Sequence, residues 1–391
     1  MSDSKVITPP AMLGMLGGGQ LGRFFVIAAH EMGYKVTVLD PDKNSPAGKI
    51  ADVHLCANYD DETALAEMEK TCQAVTTEFE NVPASTLEKL ALTTTVRPSG
   101  ASVAIAQNRV LEKRFIKEAG LPVAPFAVIN TNADLPSDAS PLYPAILKVA
   151  RFGYDGKGQA RVKNQAEAQA AFNTFKQEIC VLEQMLPLDL EVSVVLARDS
   201  KGNIEAFTTA ENSHLNGILD ISIAPARCSE VLKANARELA KKLAEKLNYV
   251  GVLGVEFFVV GNQLLVNEIA PRPHNSGHYT IDACITNQFE QQVRVLAGLP
   301  LGDASMHSNA VMVNILGDSW FSNTESAREK NTPLEPAWNK ACSHANLKLH
   351  LYGKAEPRVA RKMGHFTVIG QDTKKVLNAA LIARGELHIG E

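Results

Sequence analysis

What this chain has little of narrows its chemistry. Its six cysteines are scattered with no C-x-x-C pair, so no disulfide framework and no zinc knuckle can be read, and a reducing compartment, by default the cytoplasm, is expected. No apolar run approaches the roughly 18 residues of a membrane span, and the opening MSDSKVITPP lacks the apolar core of a signal peptide. Excess charge is missing too. A net charge of -4 leaves no electrostatic footprint for nucleic acid, so small molecules are the expected partners. What remains is 391 residues with 45% hydrophobic content, enough for a substantial core and two or three domains.

The stretch around which the chain is organised is Gly254 to His278. Two β-branched runs, Val252 to Val260 and Leu264 to Ile269, flank a Gly261-Asn262 turn signal and read as an antiparallel hairpin with one glutamate in each arm. A three-residue loop of Gly261, Asn262 and Gln263 sets Glu256 opposite Glu268, whereas a two-residue loop would put Asn267 there; the three-residue loop is the expectation. Opposed like charges destabilise a sheet. Such a pair among Val and Phe residues calls for a cation, and an all-oxygen set suits Mg²⁺. Pro271 to His278 then forms a rigid loop, too rich in Pro and Gly for strand or helix, that sets Arg272, His274 and Asn275 beside the hairpin as an anion or substrate grip.

Toward the N-terminus, the strand Ala11 to Leu16, the run Gly17 to Gly22 and a helical pattern to about Met32 form a β-loop-α start. The strand Lys35 to Leu39 ends in Asp40, completing a dinucleotide fingerprint, although a helix N-terminus with bare N–H groups suits any phosphate. Strands and helices alternate as far as Val96, which predicts a doubly wound α/β domain over 1–105. Glu78 follows the strand Ala74 to Thr77, where open α/β sheets bind ligands; a solvated loop carboxylate is the alternative.

The strand Ala145 to Val149 carries Lys148, and a glycine-rich segment follows at Gly153-Tyr154-Asp155-Gly156-Lys157-Gly158-Gln159. This is not a Walker A loop; a strand-borne lysine with a glycine flap resembles the phosphate cover of kinases. The strand Cys180 to Leu182 runs into Glu183-Gln184-Met185-Leu186, whose main chain could read an adenine edge, with Glu183 accepting from its amino group and Glu191 accepting from ribose hydroxyls. Leu232 to Leu247 reads as a packing helix with a stripe of Leu239, Leu243 and Leu247, and His214 is a possible site residue. Beyond Pro300, strands Val311 to Ile315, Leu347 to Tyr352 and Phe366 to Ile369 flank a loop, Gly353 to His365, whose Lys354, Arg358, Arg361 and Lys362 form a basic patch of the size for one phosphate monoester.

Lys148, the flap, the Glu183 to Leu186 hinge, Glu191 and the Glu256, Asn267, Glu268 set occur in the order of an ATP-grasp enzyme. GMLGGGQLGR at 14 to 23, TTEFENVP at 76 to 83, FGYDGKGQ at 152 to 159, NEIAPRPHNSGH at 267 to 278, and YGK with RKMGH at 352 to 365 resemble, more narrowly, the N5-carboxyaminoimidazole ribonucleotide synthetase family of purine biosynthesis. The resemblance implies an ATP-grasp fold: an N-terminal domain over 1–105, an ATP-grasp region over 106–298 with its lid at about 125–190, and a C-terminal α+β portion over 299–391. It implies a ligase that joins 5-aminoimidazole ribonucleotide, bicarbonate and ATP through carboxyphosphate, giving ADP and phosphate. In that frame Arg109, Lys148 and the flap backbone hold the phosphates, Glu183 to Leu186 hold adenine, Glu191 the ribose with His214 nearby, and Glu256 and Glu268 bind Mg²⁺ with Asn267. The ribonucleotide falls to Gln20, Leu21, Glu78, Tyr154, Asp155, Arg272, His274, Asn275, Lys354 and Arg361, with the glycine loop facing its phosphate; Asp155, Arg272 and His274 stand at the chemistry. That reading displaces a nicotinamide cofactor. The resemblance also implies a homodimer and, for a chain ending at Glu391, a separate downstream mutase.

Overall fold

A computed structural model describes residues 6–151, 158–321 and 333–390. Its first unit is an all-parallel sheet in the order Val53–Leu55, Lys35–Leu39, Met12–Leu16, Ala74–Thr77, Thr95–Val96. The short strand Val53–Leu55 was not anticipated, because only three residues carry it. The central strands are apolar without alternation because both faces are covered, and Leu13, Met15, Val36 and Val38 are fully buried. The helix Gln20–Glu31 packs on the helix Gln288–Ala297, with the rings of Phe24 and Phe289 stacked at 5.0 Å, which docks the N-terminal unit onto the later part of the chain.

A four-stranded antiparallel sheet, Phe126–Ile129, Cys180–Gln184, Ala145–Val149, Gln159–Val162, forms a lid-like unit closed by the helix Gln165–Thr174, whose Phe172 shares a core with Leu147 and Leu182. The remaining strands share one large antiparallel sheet. Its order is Gln263–Ala270, Gly251–Val260, Leu190–Arg198, Ala210–Leu215, Ile218–Ala224, Asn309–Leu316, Lys362–Gly370, Leu347–Leu351, with Ile204–Ala206 beside Leu190–Arg198. The C-terminal portion is therefore no separate sheet: Ile221 pairs with Val313 and Ile223 with Val311, continuing the ladder. Helix Glu230–Lys246 covers this sheet. Its buried stripe is Leu232, Ala236, Ala240 and Leu243, while Leu239 lies half-buried, because small residues let the helix approach the strands closely.

Candidate active site

One cleft of about 1320 Å³ lies where the three units meet. Every sequence-derived site residue within the described segments lines it, except Gly158, Glu183, Gln184, Met185 and Leu186. Gly153, Tyr154, Asp155, Gly156 and Lys157 lie outside the described residues.

Glu256 and Glu268 do face each other, by a different route from the one expected. The hairpin turn has two residues: Val260 pairs with Gln263, and Gly261 takes a φ of 60° at the turn's first position. That turn alone would oppose Glu256 to Asn267. A bulge at Asn267 restores the pairing, since Phe257 pairs with Val266 but Glu256 with Glu268. Burial, then the charge of Glu268, push the Glu256 carboxyl up to about 7. A carboxyl held so high beside a second carboxylate is the signature of a cation's seat, and oxygen atoms of Glu256, Glu268 and Asn267 suit a hard divalent ion. His274 approaches within 3.5 Å of Glu256 through Nε2. Its Nδ1 accepts from the Ser276 amide and lies 2.7 Å from the Ser276 hydroxyl, which itself accepts from Ser193. The ring therefore carries its proton on Nε2 and offers Glu256 a donor instead of a metal ligand. Burial, helped by Arg272 and Lys362, lowers His274 to about 3, so it is neutral. Gly254 permits this approach, because a Cβ there would come within 2.7 Å of the His274 Cβ.

Lys148 sits buried on the lid strand and donates to Glu183 at 2.9 Å, while Lys113, from the helix Arg109–Glu118, pairs with the other carboxylate oxygen. Burial alone would raise the Glu183 carboxyl, but the two ammonium groups hold it at about 2. Its side chain is thus committed to the lysines, so an acceptor role toward adenine would fall to the Glu183 main chain. The hinge amides are also largely spent, with Gln184 N–H on Pro125 O and Met185 N–H on Pro144 O, both at 2.9 Å. Leu186 N–H has no partner among the described residues and is the remaining main-chain donor. Arg109 reaches Glu268 at 3.5 Å, and His214 pairs with Glu191 at 3.1 Å. Burial opposes the His214 proton, yet Glu191, Glu256 and Glu268 outweigh it and raise its pKa.

The glycine loop departs most from expectation. Gly19 and Gly22 N–H groups both donate to Glu78, and Gly18 N–H donates to Asp40 at 2.7 Å. The amides of Gly18, Gly19 and Gly22 are thus filled by the protein's own carboxylates, which leaves those of Gln20 and Leu21, at the helix N-terminus and lining the cleft, without an acceptor among the described residues. Asp40 also accepts from Tyr59, which leaves it unsuited to a nucleotide ribose. A Cβ on Gly17 would stand 2.4 Å from Glu78 Cγ, so the glycines serve Glu78 rather than a pyrophosphate.

Arg272 is aimed by Glu80, to which its Nε donates at 2.7 Å. Burial alone would raise Glu80, but Arg272 holds it at about 2. The loop after Pro271 does contain one 3-10 turn, Asn275–Gly277, capped by His274. Asn275 exchanges amide hydrogen bonds with Asn314 at 3.1 and 2.7 Å, which fixes the orientation it presents to the cleft. Gln288 clamps the His274 main chain through two 2.9 Å bonds. Lys354 donates to Gln20 Oε1 and to Lys362 O, both at 2.6 Å, joining the first unit to the basic loop. That loop ends earlier than expected, since Lys362 to His365 belong to a strand, and Glu356 accepts from both Arg358 and Arg361. Residues that sequence reasoning missed are Glu80, Lys113, Glu112, Asn314 and Gln288. Only Glu80, two positions beyond Glu78 in a motif already singled out, left a local signal.

Comparison with known proteins finds relatives over most of the chain. Family models match residues 11–107 (ribonucleotide synthetase preATP-grasp domain), 114–289 (ATP-grasp domain) and 310–379 (phosphoribosylaminoimidazole carboxylase C-terminal domain). The chain is 42% identical over 371 residues to N5-carboxyaminoimidazole ribonucleotide synthase of Bacillus subtilis (strain 168), covering 94% of each. It is 43% identical over 371 residues to the protein of that name from Brucella melitensis biotype 1, covering 94% of this chain and 98% of that one. A crystal structure of an ADP complex of N5-carboxyaminoimidazole ribonucleotide synthetase superposes with a TM-score of 0.91 at 39% identity, covering 99% of this chain and 100% of that one. The Aspergillus clavatus N5-carboxyaminoimidazole synthase with ADP and 5-aminoimidazole ribonucleotide gives 0.85 at 30% identity, covering 97% and 98%.

Proposed function

The chain belongs to the N5-carboxyaminoimidazole ribonucleotide synthase family of ATP-grasp ligases, and we propose that its cleft carries out ATP- and bicarbonate-dependent carboxylation of 5-aminoimidazole ribonucleotide in purine biosynthesis. ATP lies between the lid sheet and the large sheet. Lys148 and Arg109 take its phosphates, Leu186 N–H meets adenine, and Glu191, oriented by His214, meets the ribose; that Lys148, Arg109, Glu191 and His214 line one cleft, and that Leu186 N–H has no partner among the described residues, supports this placement. Mg²⁺ held by Glu256, Glu268 and Asn267 would neutralise phosphate charge as bicarbonate attacks.

Bicarbonate displaces ADP from the γ-phosphorus to give carboxyphosphate. The substrate's amine then takes the carboxyl carbon, directly or as released CO₂, and phosphate leaves with its electron pair. Both species are lost to water, so the flap 153–159 is assigned to excluding it, with Asp155 positioning or deprotonating the amine. Arg272, set by Glu80, neutral His274, and Lys354 with Arg361 grip the ribonucleotide, their sharing of one cleft with Glu256 being the support. Six free thiols favour a reducing cytoplasm. Homodimeric assembly and transfer of the product to a separate mutase complete the proposal.

The carrying observation is that opposed carboxylates, a buried strand lysine and the Arg272–His274 loop share one cleft in a chain of this family. Phosphate release from ATP should require 5-aminoimidazole ribonucleotide and bicarbonate together. Stimulation by glycinamide ribonucleotide with formate instead would move the assignment to a formyl-transferring ATP-grasp ligase.

A further inference from the structure

The bulge at Asn267 is what brings Glu268 opposite Glu256, and the strand that carries it, Gln263–Ala270, is the outermost of the large sheet. Among the described residues no further strand lies beyond it to satisfy its outward main-chain groups. A bulge on such an edge is free to migrate or flatten, and a one-residue slip would set Asn267 opposite Glu256 and turn Glu268 to the other face. Something must therefore hold it.

The helix Arg109–Glu118 supplies that partner. Lys113 Nζ donates to the carbonyl of Asn267 at 3.1 Å, and the Glu112 carboxylate accepts from the amide of Ile269 at 2.6 Å. The two contacts straddle Glu268, one on each neighbouring residue. Both side chains are 2% exposed, so neither bond competes with water. A little earlier along the edge, Val266 N–H is held by Pro122 O at 2.8 Å, so the register is pinned on the near side as well. Lys113 also pairs with Glu183, the partner of Lys148, and thus joins the bulge to the lysine assigned to the nucleotide phosphates.

We infer that Glu112 and Lys113 are positioning residues that lock the Asn267 bulge and so set the geometry of the divalent-cation carboxylates. They act through Glu268 without touching the ion. This rests on the assignment of Glu256 and Glu268 to the metal made under Proposed function, and the test separates the two. The acceptor at position 112 is the essential feature, because an amide oxygen can replace a carboxylate oxygen under the Ile269 N–H whereas a hydrocarbon cannot.

The experiment titrates Mn²⁺ by electron paramagnetic resonance into the full-length protein with saturating ADP, alongside ADP binding in EDTA and hydrogen exchange at the Ile269 amide. Glu112→Leu should raise the Mn²⁺ dissociation constant about tenfold, the loss expected for one hydrogen bond to a charged group. It should unprotect the Ile269 amide while leaving ADP affinity in EDTA within about twofold of wild type. Glu112→Gln should keep both Mn²⁺ affinity and amide protection. Unchanged Mn²⁺ affinity in a folded Glu112→Leu overturns the inference. An equal loss in Glu112→Gln overturns it too, since charge and not the acceptor would then be responsible. Should Glu112→Leu not fold, Lys113→Met decides: weakened Mn²⁺ and ADP binding together support the lock, and unaltered Mn²⁺ binding refutes it. Wild type that binds ADP but no Mn²⁺ refutes the metal assignment itself, and the inference with it.

Discussion

Replacing Glu80 by Gln tests how the substrate loop is aimed. The Glu80 carboxyl lies at about 2 against an ordinary 4.5, because Arg272 beside it outweighs the cost of burial. At about 1.36 kcal/mol per pH unit, the pair contributes about 3 kcal/mol to the folded state. The folded value is depressed, so this stability is present above pH 4.5 and is lost as pH falls toward 2. Glu80→Gln should remove that pH-dependent step in urea denaturation and lower stability at neutral pH by about 3 kcal/mol. Arg272 would keep a neutral acceptor but lose the charge that holds it. If it grips the ribonucleotide, the loosened guanidinium should raise KM for 5-aminoimidazole ribonucleotide about tenfold while KM for ATP moves less than about twofold. Steady-state phosphate release with each substrate varied reads both constants. A normal ribonucleotide KM in a destabilised protein would refute the aiming role and leave Glu80 a structural tie. Equal rises in both constants would show a general collapse of the cleft.

Other perturbations follow from the same electrostatics. The Glu256 carboxyl is raised to about 7 by burial and Glu268, so metal-free stability should fall as pH climbs from 4.5 through 7. Glu256→Gln should therefore stabilise the metal-free protein at pH 8 by on the order of 2 kcal/mol in thermal denaturation, while lowering turnover on the order of 100-fold. The His214 pKa is raised by Glu191 and the hairpin carboxylates against the opposing effect of burial. Its ion pair should add stability below pH 6.5 that is lost as pH rises through the folded value, a step absent from His214→Gln and visible by NMR titration of the ring. Glu78→Leu should cost about 3 kcal/mol in denaturation by leaving the Gly19 and Gly22 amides unpaired, and Glu78→Gln less, since one amide oxygen still accepts.

Local patterns were legible where local physics decides. The strand Ala145–Val149, the hairpin arms and Lys35–Leu39 follow from runs of β-branched residues, and residues of the family's motifs meet in one cleft. The hairpin shows where such reading stops. The expected pairing of Glu256 with Glu268 is present, but through a two-residue turn plus a bulge, because turn length and bulge are interchangeable in register arithmetic. Only the contacts at Asn267 and Ile269, from a helix more than 150 residues earlier, distinguish them. Partners at long range were equally hidden. Nothing near Arg272 signals Glu80, 192 residues away, and nothing near the glycine loop signals that Glu78 fills it. A helix N-terminus attracts any anion, so the same glycines fit a phosphate or a carboxylate. This has a consequence for the substrate: with the amides of Gly18, Gly19 and Gly22 committed, the main-chain donors this loop offers a ribonucleotide phosphate are those of Gln20 and Leu21. Lys354, tethered to Gln20, and Arg361 add side-chain cations to the cleft, with Arg358 and Lys362 also in its lining, and their attraction to a phosphate is screened by salt.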